Sequence, residues 1–395
     1  MKALIAGGGI GGLGTAIALA MRGWQVSVFE QAPALSEIGA GLQISPNGWR
    51  VLDALGVSRY LRTTVFEPEA IEMRLGRSGR QVFCLPMRGF AQARWGAPYM
   101  HVHRADLVTG LEQRLNALQG DAIKTGRVVS GYVQTTDSAT VRFEDGTEQS
   151  GDIVIGADGL HSVIRAQMLG PDQARYTGNT AWRAVVPIEA LGGHTPPPTA
   201  CVWVGDKRHA VTTRLRAGHL ANFVGMVETD DPGPEGWRIT GSRTEAKAAF
   251  DGWAPEIRTL IDRAEVLHRW ALFDRAPLVR WHEGRVALMG DAAHPMLPSM
   301  AQGAVQALED AWILAAALDQ HDTPDAAFGA YFQRRIARTA RVQKGSAANA
   351  RMFHKASAFG GIAVYGPMGI AARLAPNLLH ARQDWVYRYD ATAAV

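Results

Sequence analysis

The feature that most constrains the fold is a run of glycines between a short apolar segment and an apolar helix near the start of the chain. Residues 2–6 (KALIA) predict a buried strand, and a helix is predicted from about Leu13 to Arg22, where Gly23 ends it. A second strand, QVSVFE, is predicted at 25–30. A strand, a turn, a helix and a second strand within about 30 residues are typical of a βαβ unit. The sequence therefore predicts a parallel sheet of the Rossmann-like kind.

The glycine turn reads Gly7-x-Gly9-x-x-Gly12. Gly7 allows the tight turn, Gly9 lets the backbone approach a pyrophosphate, and Gly12 lets the helix pack closely on the strand. The helix N-terminus offers unpaired N–H groups to an anion. Glu30 follows about 20 residues on, where a carboxylate accepts hydrogen bonds from ribose hydroxyls. The turn predicts a bound dinucleotide, and both FAD and NAD(P) fit it.

Two more motifs follow buried strands. Asp158 opens DGLHSVIR after the strand DIVIGA, and RVALMGD places Asp291 at the end of its strand. Ligands of open α/β sheets bind at the carboxyl ends of the strands. His294 lies three positions after Asp291, so the two side chains could be metal ligands, a catalytic dyad or neither. A metal-dependent hydrolase would need further ligands nearby, and the sequence shows no HxxxH, so we expect no metal.

The composition is that of a globular protein, with 47% hydrophobic and 20% charged residues among 395. The net charge of +4 comes from scattered basic residues without a recognisable nucleic-acid-binding module, so no nucleic-acid partner is expected. Cys84 and Cys201 are too few for a disulfide framework and fit a reducing cytoplasm. The most apolar segment, 358–372, is interrupted by glycine and proline, so no stable membrane insertion is expected.

The motifs together resemble one family. GGGIGG…FEQ, GADGLHSVIR and RVALMGDAAHPMLPSMAQGA occur in this order along the chain. They resemble the FAD-dependent aromatic hydroxylases, the single-component flavoprotein monooxygenases of the para-hydroxybenzoate hydroxylase fold, and the resemblance covers essentially the whole chain. GAGLQISPN (39–47), HRADL (103–107) and DWVYRYD (384–390) most resemble the branch of salicylate, 3-hydroxybenzoate and 6-hydroxynicotinate hydroxylases.

The sequence pattern and the resemblance imply an α/β fold in which a mostly antiparallel β-sheet substrate domain is inserted into a Rossmann-like FAD-binding domain. A β-meander is predicted at 127–155, with a turn at Asp145-Gly146, and helices are predicted at about 303–319 and 325–350. The expected ranges are 1–75, 100–180 and 275–350 for the FAD-binding domain, 76–99 and 181–274 for the substrate domain, and 351–395 for a C-terminal helical segment.

The resemblance also implies roles for cofactor-binding residues. Glu30 holds the adenosine ribose of FAD, and Arg104 lies against the cofactor. Asp158 belongs to a motif linked with the FAD and NAD(P)H pyrophosphates, and Asp291 contacts the ribityl and pyrophosphate region. A single GxGxxG agrees with NADH or NADPH acting as a transient co-substrate.

Gly303 and Ala304 begin the helix whose N-terminus, by the resemblance, faces the flavin pyrimidine ring. Reduced flavin carries negative charge near N1 and the C2 carbonyl, and a helix N-terminus supplies N–H donors and positive dipole there. Small side chains let the ring come into contact with the helix.

The resemblance implies that NAD(P)H reduces FAD, that O₂ then forms a flavin C4a-hydroperoxide, and that one oxygen reaches an electron-rich ring. A base should help form the substrate phenolate. The candidate is His209 on a strand of the inserted domain, where the branch also has a histidine; otherwise His209 is an ordinary sheet histidine facing solvent. Gln302, the second catalytic candidate, and Gln43 are expected to line the pocket.

Two departures bear on the substrate. The 6-hydroxynicotinate hydroxylases have histidine where this chain has Gln43, and tyrosine where it has Thr213. A salicylate- or hydroxybenzoate-like phenolic acid is therefore the expected substrate, within the wider class of phenolic and hydroxypyridine carboxylic acids. The alternative is a same-fold flavin epoxidase or hydroxylase of a larger secondary metabolite or lipid. We expect a monomer or homodimer that uses O₂ and NAD(P)H in the cytoplasm.

Overall fold

The computed structural model of the chain describes residues 1–35, 41–171, 174–232, 239–354 and 358–393. Gly39 and Ala40 of the GAGLQISPN motif lie outside the described residues. The described strands are β1 Lys2–Ala6, β2 Gln25–Phe29, β3 Gly41–Ile44, β4 Ala70–Leu75, β5 Gln81–Pro86, β6 Met100–His103, β7 Ile123–Lys124, β8 Val129–Gln134, β9 Ala139–Phe143, β10 Glu148–Gly151, β11 Ile153–Gly156, β12 Arg175–Pro187, β13 Ala200–Gly205, β14 Arg208–Leu215, β15 Leu220–Glu228, β16 His268–Asp274, β17 His282–Glu283 and β18 Val286–Leu288. The described α-helices are α1 Ile10–Ala20, α2 Pro46–Ala54, α3 Ser58–Leu61, α4 Phe90–Trp95, α5 Arg104–Leu118, α6 Val163–Leu169, α7 Arg243–Ala249, α8 Pro255–Arg263, α9 Gly303–Gln320, α10 Pro324–Phe353, α11 Ala358–Leu374, α12 Pro376–Ala381 and α13 Asp384–Tyr387.

A six-stranded sheet forms the first half of the fold, in the order β17-β18-β11-β1-β2-β7. β1 pairs in parallel with both β2 and β11, and β18 pairs in parallel with β11. The residues of β11 are all buried, because the strand lies between β1 and β18 and also packs against β9 of the three-stranded meander. α1 packs against α5 and α9. The predicted Rossmann-like unit is confirmed.

The predicted meander is also present. β8, β9 and β10 form an antiparallel three-stranded sheet, and β11 then joins the parallel sheet beside β1. Gly146, in the turn between β9 and β10, has a φ of 79°, which is the conformation that favours glycine.

A seven-stranded sheet forms the second half, in the order β16-β12-β15-β14-β13-β4-β5. Its pairs are antiparallel except for β13 with β4. The inserted, mostly antiparallel sheet is confirmed, but β4 and the start of β12 belong to it although the expected ranges 1–75 and 100–180 placed them in the other domain. β4 pairs with a strand far along the chain, and such long-range pairing leaves no local sequence signal. The domain ranges themselves stay predictions.

The two faces of this sheet have different neighbours. One face carries Trp203 and Phe223, which pack with helices α7 and α8 in a hydrophobic cluster. Because side chains alternate along a strand, His209, Val211 and Thr213 of β14 lie on the opposite face. That face packs partly against the end of helix α10.

The helices after the parallel sheet agree with the prediction of two long segments. α9 covers Gly303–Gln320, and α10 covers Pro324–Phe353. A third helix, Ala358–Leu374, contains Pro367. Across the described ranges, no helix is long and apolar enough to span a membrane.

Candidate flavin and substrate site

The glycine turn between β1 and α1 leaves no room for side chains at two of its positions. Gly7 has a φ of 106°, and a Cβ there would lie 2.3 Å from the carbonyl oxygen of Ala157. A Cβ on Gly12 would lie 2.0 Å from the carbonyl oxygen of Gly7. The turn and the close packing of helix and strand therefore both require glycine.

Gly9 is different, because it opens a space. It is the residue that precedes α1, and a Cβ built on it would meet no protein atom within 4 Å. The first N–H groups of a helix have no intrahelical partner, and they point towards this space with the positive end of the helix dipole. An open cradle at a helix N-terminus fits the pyrophosphate of a dinucleotide.

Glu30 lies beside the same turn, one residue after β2. Its carboxylate accepts hydrogen bonds from the backbone N–H groups of Gly8, at 2.9 Å, and Ala32, at 2.8 Å. These bonds hold the side chain at the edge of the cradle. Each carboxylate oxygen retains capacity for a further donor, so the position suits a ribose hydroxyl.

The DGLHSVIR motif joins the glycine turn to the motif around Asp291. Asp158 accepts a hydrogen bond from the N–H of Ile164, and burial raises the pKa of its carboxyl group. Arg165 donates hydrogen bonds to the carbonyl oxygens of Asp291 and Ala292, at 3.3 and 3.1 Å. The second and third motifs are therefore parts of one site.

Asp291 lies in a short 3₁₀ turn that follows β18, and its side chain is exposed. Desolvation by the surrounding protein raises the pKa of Asp291, and the charges of His294, Arg104 and Arg275 oppose that change. An exposed carboxylate beside basic side chains at the end of a strand is accessible to a ligand. Arg104, the first residue of α5, lies near enough to Asp291 for its charge to lower that pKa, and its contact with the cofactor stays a prediction.

His294 does not pair with Asp291. Its Nε2 lies 2.5 Å from Oδ2 of Asp310 on α9, and Asp310 also accepts from Arg335 at 2.7 Å. Although burial alone would raise it, these two partners lower the pKa of Asp310 to about 2. Within the part of the chain that the structure describes, no three His, Cys, Asp or Glu side chains are grouped as metal ligands. Because His294 is paired with Asp310, the structure favours a structural turn over a catalytic dyad of Asp291 and His294.

The N-terminus of α9 is held in place by a buried polar network. Gln302 donates from Nε2 to the Ser45 hydroxyl at 2.8 Å, and its Oε1 accepts from Asn47 at 3.1 Å. Gly303 and Ala304, which begin the helix, remain partly exposed, and a Cβ on Gly303 would meet only a carbon of Met296 at 3.9 Å. The helix start therefore presents backbone N–H groups to open space, which suits the pyrimidine edge of a flavin.

The same network continues into the protein. Asn47 also donates to Glu309 at 2.8 Å, and Glu309 is paired with Arg335 at 2.5 Å and Arg338 at 2.7 Å. Burial alone would raise the pKa of Glu309, but the two guanidinium groups lower it. Glu309 is therefore a buried carboxylate held in its charged form, and it fixes α9 to α2 and α10.

Three valines form an apolar patch on the face of the seven-stranded sheet that lies opposite α7 and α8. Val202, Val211 and Val224 lie side by side on β13, β14 and β15, and each is only partly buried. His209 and Thr213 flank Val211 along β14, and both are buried. A partly accessible apolar patch between two buried polar side chains is a suitable floor for an aromatic ring.

His209 is fully buried, and burial lowers its pKa well below the ordinary value for histidine. Its Nδ1 lies 2.7 Å from Nε2 of His354, at the end of α10. Its Nε2 is buried without a hydrogen-bond partner among the described residues. A neutral imidazole with one bare nitrogen is equipped to accept a proton.

Asn222 links the two strands that carry the predicted pocket residues Gln43 and Thr213. Asn222 donates to the Thr213 hydroxyl at 3.2 Å and accepts from the backbone N–H of Gly41, at the start of β3, at 3.1 Å. Gln43, two residues further along β3, accepts a hydrogen bond from the Tyr99 hydroxyl. The site therefore lies where β3 and β14 meet.

Sequence reasoning missed three features of this site. His354 follows a long helix, and no local pattern links it to His209. Arg183 lies buried on β12, next to Val224 in the adjoining strand. The adjacent acids Glu309 and Asp310 did leave a signal, because two carboxylates in the otherwise apolar stretch VQALEDAWILAAAL require buried cationic partners.

Comparisons with known proteins agree with this geometry. Residues 1–346 match the family described as FAD binding domain. The chain is 40% identical over 364 residues to 3-hydroxybenzoate 6-hydroxylase of Polaromonas naphthalenivorans strain CJ2, with 90% of this chain and 88% of that one covered.

Two solved structures share the fold. The crystal structure of Klebsiella pneumoniae HpxO complexed with FAD and uric acid has a TM-score of 0.83 and 30% identity, over 95% of this chain and 94% of that chain. A salicylate hydroxylase substrate complex has a TM-score of 0.81 and 25% identity, over 100% and 96%. The family match spans the glycine turn, Glu30 and both later motifs, whose geometry fits a flavin dinucleotide. The chain therefore belongs to the FAD binding domain family, and it is an FAD-dependent monooxygenase of the aromatic hydroxylase type.

Proposed function

We propose that this enzyme hydroxylates a phenolic carboxylic acid of the salicylate or hydroxybenzoate type, with NADH or NADPH and O₂ as co-substrates. The observation that carries the proposal is the bare Nε2 of buried His209 beside the valine patch of Val202, Val211 and Val224. The relationship to 3-hydroxybenzoate 6-hydroxylase supports it. The chemistry that FAD supplies when bound is oxygen transfer to the ring after reduction by the nicotinamide.

The residues of the chain have separate tasks in this proposal. His209 accepts the proton of the substrate hydroxyl, because a phenolate ring is the more reactive nucleophile. The valine patch holds the ring and excludes water, which protects a reactive oxygen donor from decay. The backbone N–H groups of Gly303 and Ala304 stabilise negative charge on the flavin.

Gln302 acts in this proposal by holding the start of α9. Its side-chain amide bonds Ser45 and Asn47, so its contribution to catalysis is the position of the helix N-terminus. Gln43 and Thr213 contribute the shape of the pocket. They replace the histidine and tyrosine of the 6-hydroxynicotinate hydroxylases, which favours a benzoate over a pyridine substrate.

The test is a panel of salicylate, 3-hydroxybenzoate, 4-hydroxybenzoate and 6-hydroxynicotinate with the FAD-loaded enzyme. We expect one of the three benzoates to stimulate NADH or NADPH oxidation with stoichiometric hydroxylated product, and the pyridine to give less. If no member gives product, the proposed substrate class is wrong. Product from larger aromatic or lipid substrates would then support the same-fold alternative.

We also propose a cytoplasmic monomer or homodimer. Cys84 is exposed and Cys201 is buried, and neither forms a disulfide. Exposed free thiols are compatible with a reducing compartment. Light scattering of the purified enzyme measures the oligomeric state, and a stable species larger than a dimer contradicts the proposal.

A further inference from the structure

A row of three titratable side chains leads from the valine patch to the outside of the molecule. Nδ1 of His209 lies 2.7 Å from Nε2 of His354, and Nδ1 of His354 lies 2.7 Å from Oε1 of Glu228. Accessibility rises along the row: His209 is fully buried, the His354 side chain is 6% exposed, and the Glu228 side chain is 42% exposed. The row therefore links the candidate base to water through two hydrogen bonds.

The backbone holds the row in place. His354 caps the end of α10, and its carbonyl oxygen accepts from the N–H of Lys207 at 3.2 Å. The carbonyl of Lys207 in turn accepts from the N–H of Glu228 at 2.9 Å. His354 is thus fixed to the turn between β13 and β14. It lies beyond residue 346, where the family match ends.

The charges around the row are few among the described residues. His209 faces His354 and the ring of Phe353. His354 faces Glu228, Arg208 and Asp206. Burial is the main cause that lowers the pKa of both histidines, so neither ring holds a second proton at neutral pH.

The hydrogen bonds determine which nitrogens carry protons. Glu228 as a carboxylate can only accept, so Nδ1 of His354 carries its proton and donates it. Nε2 of the neutral His354 ring must then accept, so Nδ1 of His209 carries a proton as well. The remaining nitrogen of His209, Nε2, is left with a lone pair. The row therefore sets His209 in the tautomer that a base requires, with the bare nitrogen that has no partner among the described residues.

We propose that His354 and Glu228 relay protons between His209 and solvent, and this rests on the proposed role of His209 as the base. As the substrate O–H bond breaks, its proton bonds to Nε2 of His209. The Nδ1 proton of His209 passes to Nε2 of His354, and the Nδ1 proton of His354 passes to Glu228, which releases it to water. Each ring gains one proton and loses one, so both rings stay neutral but change tautomer, and the reverse transfer, when the product hydroxyl re-forms, restores the starting protonation.

Two variants break the relay and keep the volume of the side chain. His354→Gln removes the second ring, and Glu228→Gln introduces an amide that can donate as well as accept. A matched control is His282→Gln, because His282 also pairs with a carboxylate, Asp325, at 3.2 Å on another part of the surface. FAD content and unfolding temperature report on folding in each variant. Glu228→Asp restores a carboxylate and should recover part of the lost rate.

The first readout is ¹⁵N NMR of the histidines in the FAD-loaded protein without substrate. We expect a neutral His209 protonated on Nδ1 in the wild type, and a mixture of tautomers in Glu228→Gln. A wild-type His209 protonated on Nε2 would overturn the relay. This readout does not depend on any substrate, so it separates failure of the relay from failure of the proposed function.

The second readout is the rate of hydroxylation of the best substrate in the panel as a function of pH. We expect His354→Gln and Glu228→Gln to lower the rate about tenfold or more near neutral pH, and the rate to rise with pH because hydroxide must then remove the proton. The control should match the wild type. Wild-type rates and pH profiles in both relay variants would show that His354 has only a structural role.

Discussion

At the scale of single residues, the site depends on glycines, which have no side chain, as well as on polar side chains. Gly12 is closed by the backbone of Gly7, whereas Gly9 faces an open cradle. The two glycines belong to the same motif, but glycine is required at each for a different reason. Gly12 lets the helix pack closely on the strand, and Gly9 leaves space for a ligand.

Substitution of each glycine by alanine, which adds one methyl group, distinguishes the two reasons. Gly12→Ala should destabilise the fold by about 1–3 kcal/mol, as overpacking does, because its Cβ would overlap a backbone oxygen. Gly9→Ala should leave the stability of the FAD-free protein nearly unchanged and weaken FAD binding. Chemical denaturation and FAD titration measure the two effects. Equal losses of stability in both variants would contradict the separation.

His209 should be needed for oxygen transfer and not for cofactor binding. His209→Ala should keep FAD and continue to oxidise NADH or NADPH, while hydroxylated product falls by about 100-fold or more and H₂O₂ rises. His282→Ala is the matched control. The measurement is product and H₂O₂ per nicotinamide oxidised, and an unchanged product yield would remove His209 as the base.

At the scale of elements, α9 can position the site because its first two turns are fixed at both ends. Gln302 binds the start of α9 to Ser45 and Asn47. Glu309 and Asp310 bind the second turn of α9 to Arg335 of α10. These groups are all buried, so the network is stable only while each charge has its partner. A helix anchored in this way presents its N-terminus in one position.

Removal of the positively charged Arg335 side chain tests the buried network around Glu309 and Asp310. Arg335→Met leaves two buried carboxylates without it and should cost about 3–5 kcal/mol of stability, whereas Arg334→Met, at an exposed neighbouring position, should cost little. The pKa of Asp310, about 2, lies below the value of about 3.9 in an unfolded chain. Its stabilisation is therefore complete above about pH 4 and is lost as the pH falls towards 2. In Arg335→Met this loss should begin at higher pH, which denaturation at several pH values will show.

Much of this site was predictable from local pattern, and the rest depends on long-range contacts. The glycine turn, Glu30 and the position of Asp291 follow from strand and helix periodicity and from turn chemistry. The pairing of His294 with Asp310 and of His209 with His354 joins segments whose proximity no local pattern encodes. The same reason hid the pairing of β4 with β13. These contacts depend on how distant segments of the chain fold together, which the residue types alone do not reveal.

At the scale of the whole molecule, the seven-stranded sheet is not formed by one continuous stretch of the chain. β4 ends at Leu75 and pairs with β13, which begins at Ala200. A fragment of residues 174–274 lacks β4 and β5 and exposes an unpaired strand edge. We expect this fragment to aggregate or remain unfolded, and a fusion that adds residues 68–88 to recover β-structure by circular dichroism. Independent folding of the shorter fragment would contradict this view.

The C-terminal segment has a further consequence through Arg338. This side chain donates to the carbonyl oxygens of Trp385 and Val386 while it holds Glu309 beside Asn47. During synthesis, residues 385 and 386 leave the ribosome after the glycine turn, Asp291 and α9. The anchor of α9 is therefore completed only after this segment has been synthesised, so we expect tight capture of the cofactor to follow the synthesis of residues 385 and 386.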